Sequence, residues 1–236
     1  TVRLEAGDVS LPANWLSLSV TVTTGAGDDV VQIDSASLGS ILGSAEPIAV
    51  TVDGELGNDR LEYVGGFDTD FSITGPNAGQ ADDGVVKTLF VQTENLDGGS
   101  ADDTFTFGTG GMLSGRIDGG DGTDRIAVAF AGRSTLAITG DGAGVLQSGD
   151  RSTSRTTLAT FLDIDALEGG DGPATLDLSA LTAGVTVDLS ARTLDLTPTA
   201  GEDPEFSVDR FTTVIGTSLA DSITGDTSDN TLAGGR

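Results

Sequence analysis

Apolar residues recur at every second position in short runs, as in Leu16 to Val22 (LSLSVTV), Ile48 to Val52 (IAVTV) and Gly184 to Leu189 (GVTVDL). A period of two puts alternate side chains on opposite faces of a pleated strand, and the β-branched residues of these runs pack well on such a surface. Between strands one plan returns: strand, acidic residue, glycine turn, strand. It is read in AVTVDGELGNDRLEYV, QTENLDGGSADDTFTF, GRIDGGDGTDRIAVAF and DIDALEGGDGPATLDL. Ala36 to Leu42 and Asp163 to Leu167 suit at most a short helical turn, because Gly39 and the β-branched neighbours oppose longer helices. The polar, proline-marked stretches Gly75 to Gly84 and Pro198 to Glu205 are predicted as surface excursions.

The glycine turns start at Thr24, Gly54, Gly98, Gly119, Gly169, Gly216 and Gly225, with a further start at Gly234, giving spacings of 30, 44, 21, 50, 47, 9 and 9. A distance of 21 fits one winding of a solenoid. Distances of 44, 47 and 50 then read as two windings each, and 30 as one winding with an insertion near Ser40 to Pro47. Gly54 to Gly119 and Ile73 to Ile138 are both offsets of 65, so a longer repeat overlies the turns; Gly98 to Gly169 is 71, placing about six extra residues in Ser148 to Thr156. The predicted fold is all-β, a right-handed parallel β-helix (β-solenoid), with the turns stacked in one ladder along one edge. A β-sandwich array is the competing architecture. One continuous body over 1–236 is expected: N-terminal windings over 1–23, with Trp15 covering an open end near Pro12, long repeats over 24–97 and 98–168, a divergent repeat over 169–215, and tandem units over 216–236.

The turns hold the chemistry. Gly119 to Ala127 reads GGDGTDRIA. Glycines at the first, second and fourth places let the backbone take positive φ and approach a neighbour closely, Asp124 at the sixth place faces back over the turn, and Ile126 at the eighth begins a strand. Carbonyl and carboxylate oxygens are hard donors suited to calcium, whereas zinc or copper would call for imidazole or thiolate, and the chain has no histidine or cysteine. At these residues the sequence resembles the RTX, or haemolysin-type calcium-binding, repeat family, whose nonapeptide is GGxGxDxUx with U a large apolar residue. The match at Gly119 is complete; Thr24 to Gln32, Gly54 to Glu62, Gly98 to Thr106, Gly169 to Asp177, Gly216 to Thr224 and Gly225 to Ala233 are looser copies. The resemblance implies Ca2+ as the bound ion and passage into an RTX-like β-roll at the C-terminal end. Its metal ligands are expected among Asp124, Asp121, Gly119, Gly120, Gly122, Asp103, Asp102, Gly98, Asp59, Gly57, Asp29, Asp28, Asp221 and Asp226. Ala174 and Pro173 break the pattern in the turn from Gly169, Leu219 and Asn230 weaken the last two copies, and Thr24 and Ala101 are milder losses.

Charge sharpens this reading. With 37 acidic and 11 basic residues the net charge is −26. Like charges stacked about 5 Å apart cost roughly 3 kcal/mol per pair at an effective dielectric near 20, a large share of a domain's stability, so aligned turn carboxylates call for cations. Nucleic acid and anionic membrane surfaces are disfavoured as partners, and no apolar run approaches the ~20 residues of a membrane span. Acidity alone would fit a disordered chain, but the strand alternation argues against it. Catalysis is not expected: one lysine (Lys87), one tyrosine (Tyr63), no histidine and scattered arginines make no acid–base cleft. The chain opens on Thr1 and stops within a repeat, so targeting signals are expected elsewhere. The function expected is a calcium-rigidified stalk, adhesin or surface-layer segment of a large extracellular or cell-surface bacterial protein, with neighbouring solenoid domains, surface polysaccharide or another surface protein as partners. The alternative is an accessory or β-helix module of a secreted polysaccharide lyase or epimerase.

Overall fold

The alternating runs become strands and the glycine–aspartate stretches become the connections between them. The computed structural model describes residues 1–5, 19–42, 47–149, 155–197 and 205–235; Trp15, Pro12, the first part of the Leu16 run and most of the Pro198 stretch lie outside them. The chain is all-β, with one helix among the described residues, and divides into two compact units, Thr1–Asp124 and Arg125–Arg236.

In the first unit one sheet holds β1 (Val2–Leu4), β3 (Val30–Ile33), β5 (Arg60–Tyr63), β9 (Asn95–Gly99) and β11 (Arg116–Gly120), side by side in that order and parallel throughout. The other holds β2 (Ser19–Thr23), β4 (Ile48–Asp53), β8 (Val86–Val91), β7 (Ala78–Asp82), β6 (Asp70–Gly75) and β10 (Thr104–Phe107). Here β2, β4 and β8 run parallel, β6, β7 and β8 form an antiparallel meander, and β10 is parallel to β6. The chain therefore passes back and forth between the two sheets. Inward residues stack in register: Val31, Leu61, Leu96 and Ile117 on one side, Val22, Val52 and Phe90 on the other. Tyr63 meets Phe71 edge-on at 5.6 Å and Phe71 stacks on Phe105 at 4.6 Å, all three buried. Each such side chain contributes about 1.5–3 kcal/mol of transfer free energy.

Two expectations are corrected. Gly75 to Gly84 is no excursion, since it contains β7, the middle strand of the meander. Ser35–Leu42 is a true helix, α1. Asp34 Oδ1 accepts Ser37 N–H at 2.9 Å and so caps it. A Cβ on Gly39 would come within 2.9 Å of Val85 Cγ1, so the glycine that weakens the helix also lets it lie close to the sheet. The insertion inferred near Ser40 to Pro47 begins within this helix, and residues 43–46 of it lie outside the described residues.

In the second unit β15 (Thr156–Leu162), β14 (Ala143–Ser148), β13 (Ser134–Gly140), β17 (Ala174–Asp177), β21 (Thr213–Ile215) and β23 (Thr231–Ala233) line up in one sheet. The other contains β12 (Arg125–Val128), β16 (Ala166–Glu168), β20 (Phe206–Asp209), β19 (Thr193–Asp195), β18 (Thr186–Asp188) and β22 (Ser222–Thr224). The 65-residue offset is a repeated meander. β6–β7 shifts register between Ile73 and Gly75, and β13–β14 shifts between Ile138 and Gly140. Gly79 pairs with Phe90 and Gly144 with Phe161; a Cβ on either glycine would lie 2.7 and 2.5 Å from the ring, so each glycine leaves room for a cross-strand phenylalanine. The strand predicted over Gly184 to Leu189 is β18, and Asp163 to Leu167 leads into β16 rather than a helix.

Candidate functional site

Successive connections cross between the two sheets in opposite senses, so they fall alternately on two edges. The single predicted ladder of turns is therefore two. In the first unit Thr24–Asp29 and Gly54–Asp59 join the second sheet to the first, whereas residues 64–69 and Gly98–Asp103 return the other way, and Gly119–Asp124 stacks on Gly98–Asp103. The 44 residues from Gly54 to Gly98 are not two windings: they contain β5, the meander and β9. In the second unit the turns from Gly169 and Gly225 lie on one edge and that from Gly216 on the other, since they join the two sheets in opposite senses.

The glycines of the motif answer to this stacking. Gly120 and Gly122 have φ of 95° and 131°, and a Cβ on them would lie 2.1 Å from Gly99 O and 2.3 Å from Ala101 O of the turn beneath. The first-place glycine has a different task. A Cβ on Gly98 would stand 2.3 Å from Asp103 Oδ2, and one on Gly216 would stand 2.4 Å from Asp221 Oδ2, so the first place is empty because the sixth-place carboxylate fills it.

Asp59, Asp103 and Asp124 are 3%, 1% and 0% exposed. Their Oδ1 atoms accept backbone N–H groups from the preceding turn of each stack: Asp29 at 2.9 Å, Thr69 at 2.7 Å and Asp103 at 2.8 Å, respectively. The buried Oδ2 atoms of Asp59 and Asp103 accept no hydrogen bond. Burial, with Asp124 beside it, pushes Asp103 up to about 7. Burial likewise raises Asp59, with Glu94, Asp29 and Asp28 adding repulsion. Asp29 is half-buried. Asp28 and Asp102, at the fifth place, are exposed and accept Asn58 N–H at 3.0 Å and Thr123 N–H at 2.8 Å. Gly98 and Gly119 are buried, while Gly57, Asp121 and Gly122 sit exposed in their turns. Asp221 accepts Thr217 N–H at 3.0 Å and Val185 N–H at 3.1 Å, and Asp226 accepts Ser228 N–H at 2.8 Å.

Asp68, Asn77 and Glu94 also belong to these ladders, although no nonapeptide contains them. Asp68 Oδ1 accepts Asp102 N–H at 3.3 Å. Glu94 takes Asp59 N–H at 2.8 Å on one oxygen and Asn77 Nδ2 at 2.8 Å on the other. Gly65-Gly66 followed by the alternation of Asp70, Phe71, Ser72 and Ile73 was the sequence signal for the Asp68 turn; Glu94 and Asn77 had none.

The arginines serve another set of acids. Arg60 pairs with Glu62 at 3.4 Å and Asp97 at 3.3 Å, Arg116 pairs with Asp118 at 2.9 Å, and Arg125 and Arg210 both reach Glu168. Burial, followed by Asp118 and Glu62, still pushes Asp97 up to about 6. In the turn lacking a sixth-place aspartate, Arg210 contacts Asp171 as well. Among the described residues no ion pair reaches Asp59 or Asp103.

Calcium suits these turns in donor chemistry: hard carboxylate and carbonyl oxygens, two of the carboxylate oxygens buried without a hydrogen. No three acidic side chains converge among the described residues, so backbone carbonyls would have to complete a coordination shell. Compared with known protein families, the chain matches no family model, and among curated proteins no significant match is found.

Proposed function

We propose that this chain is a calcium-binding architectural segment of a larger extracellular or cell-surface protein, wound as a parallel β-helix with β-roll character in its last nonapeptides, and without a catalytic role. One observation carries the reading. Among the described residues, Asp59 and Asp103 are buried with an oxygen that no hydrogen bond satisfies and no basic side chain neutralises, while Arg60 and Arg116 pair with acids on the strand faces. Unpaired buried charge of this kind is costly, and a cation from solution relieves it. Asp59, Asp103 and Asp124, with carbonyls of their glycine turns, are the residues that would hold the ion. Calcium supplies charge neutralisation there and couples ion concentration to stability. Millimolar extracellular calcium would fill even weak sites, which favours a role outside the cell as stalk, surface layer or adhesin.

Parallel registers within each unit support the winding, because Val, Leu and Ile side chains stack in register as they do in a solenoid. The test is a calcium titration followed by calorimetry and thermal melting, with magnesium as control. Calcium-specific binding that raises the melting temperature is expected, and equal responses to both ions, or none, would overturn the reading.

A further inference from the structure

The fifth and sixth places of the turns are joined by a second pattern that needs no ion. At each of three turn-to-turn contacts in the first unit, the fifth-place carboxylate of the lower turn accepts the fifth-place N–H of the upper turn. The sixth-place carboxylate of the upper turn accepts the sixth-place N–H of the lower. Asp28 takes Asn58 N–H while Asp59 takes Asp29 N–H. Asp68 takes Asp102 N–H while Asp103 takes Thr69 N–H. Asp102 takes Thr123 N–H while Asp124 takes Asp103 N–H. These bonds measure 2.7–3.3 Å, and the direction never reverses. Where the connection is short, Glu94 uses its longer side chain to take Asp59 N–H. In the second unit, where Gly184 offers no fifth-place acceptor, Asp221 still takes Val185 N–H.

We propose that these two places form a reciprocal carboxylate–amide bracket that sets the register of one turn on the next and holds the stack assembled before any ion arrives. A turn leaves its backbone N–H groups without ladder partners, and an orphaned buried donor is costly. Hydrogen bonds to an ionised acceptor are about twice as strong as neutral ones, so two per contact fix both the approach and the register. A slip of one residue would leave both acceptors and both donors facing the wrong atoms. The bracket also has a polarity. A sixth-place carboxylate reaches back to the preceding turn, and Asp103 stands between two contacts and serves in both. Calcium, on this view, stiffens a stack that already exists.

The bracket bonds need no calcium, and one experiment separates their contribution from that of the ion. Amide hydrogen exchange is followed on the full chain in excess chelator for wild type, Asp124→Asn, Asp124→Ala and Asp102→Ala. The bracket predicts protection of the Asp103 and Thr123 amides without calcium. Asp124→Asn keeps an oxygen acceptor and should leave Asp103 protection within about threefold; Asp124→Ala should speed its exchange about tenfold or more, with strand amides of β5 and β9 unchanged. Asp102→Ala should do the same to Thr123 alone, and it reads the bracket even if Asp124→Ala fails to fold. Free exchange of both amides in chelated wild type, or protection that appears only with calcium, overturns the bracket whether or not calcium binds. Calcium binding without any loss on the alanine substitutions does the same.

Discussion

At the scale of the residue, the motif's first and sixth places are one steric unit. Gly98 has no Cβ because Asp103 Oδ2 occupies the space 2.3 Å from where it would stand. Gly98→Ala is expected to destabilise the chain by roughly 2 kcal/mol, in the range for overpacking a closed site, measured by denaturant unfolding. Adding Asp103→Ala to it should cost less than the two changes taken separately, because the clash then disappears; strict additivity would show that the two do not share the space. Sequence reading found both residues through the nonapeptide. The nonapeptide does not show that the carboxylate's other oxygen, Oδ1, accepts Thr69 N–H of the neighbouring turn, because a pattern of nine residues says nothing of the chain lying 34 positions away.

At the scale of the element, local signals competed with each other. Helix α1 carries Gly39 with the small Ser40 and the β-branched Ile41 after it, yet Asp34 caps it and Val85, next to β8, lies close against Gly39. Asp34→Ala should cost about 1 kcal/mol and loosen α1, seen as faster exchange of its first-turn amides with β4 and β8 unaffected. The meander shows the same competition. Its strand β7 is read in sequence as a polar loop, since Ala78 to Asp82 has little apolar alternation, and pairing to β6 and β8 makes it a strand. Gly79→Ala should destabilise by roughly 2 kcal/mol, because its Cβ would meet Ser72 O and the Phe90 ring, and Gly144→Ala should do likewise against the Phe161 ring and Ala137 O. An effect at one position and none at the other would refute the equivalence of the two meanders.

At the scale of the whole chain, acidity governs stability. Burial pushes Asp103 up to about 7 and Asp97 up to about 6 in the folded, calcium-free chain, both above an ordinary carboxylate at about 4. A raised carboxyl binds more protons folded than unfolded between those limits, so stability grows as pH falls from above 7 toward 4 and is lost as pH rises. In chelator the melting temperature is expected to climb on the order of 5 °C from pH 8 to pH 5, less so in Asp103→Asn, and saturating calcium should flatten the profile. A melting temperature that drops over this interval in chelator would contradict the assignment. The sequence by itself determined that the chain is all-β, where its glycine turns fall, and that a 65-residue unit recurs, because strand period, glycine steric freedom and repetition are local properties. Only the tertiary structure decided that the turns divide between two edges, that Asp68, Asn77 and Glu94 join them, and that Asp59 and Asp103 are sealed from water. Those facts depend on which strands meet, and that is set by the number of strands between two turns and the packing of the faces, neither of which any short motif encodes.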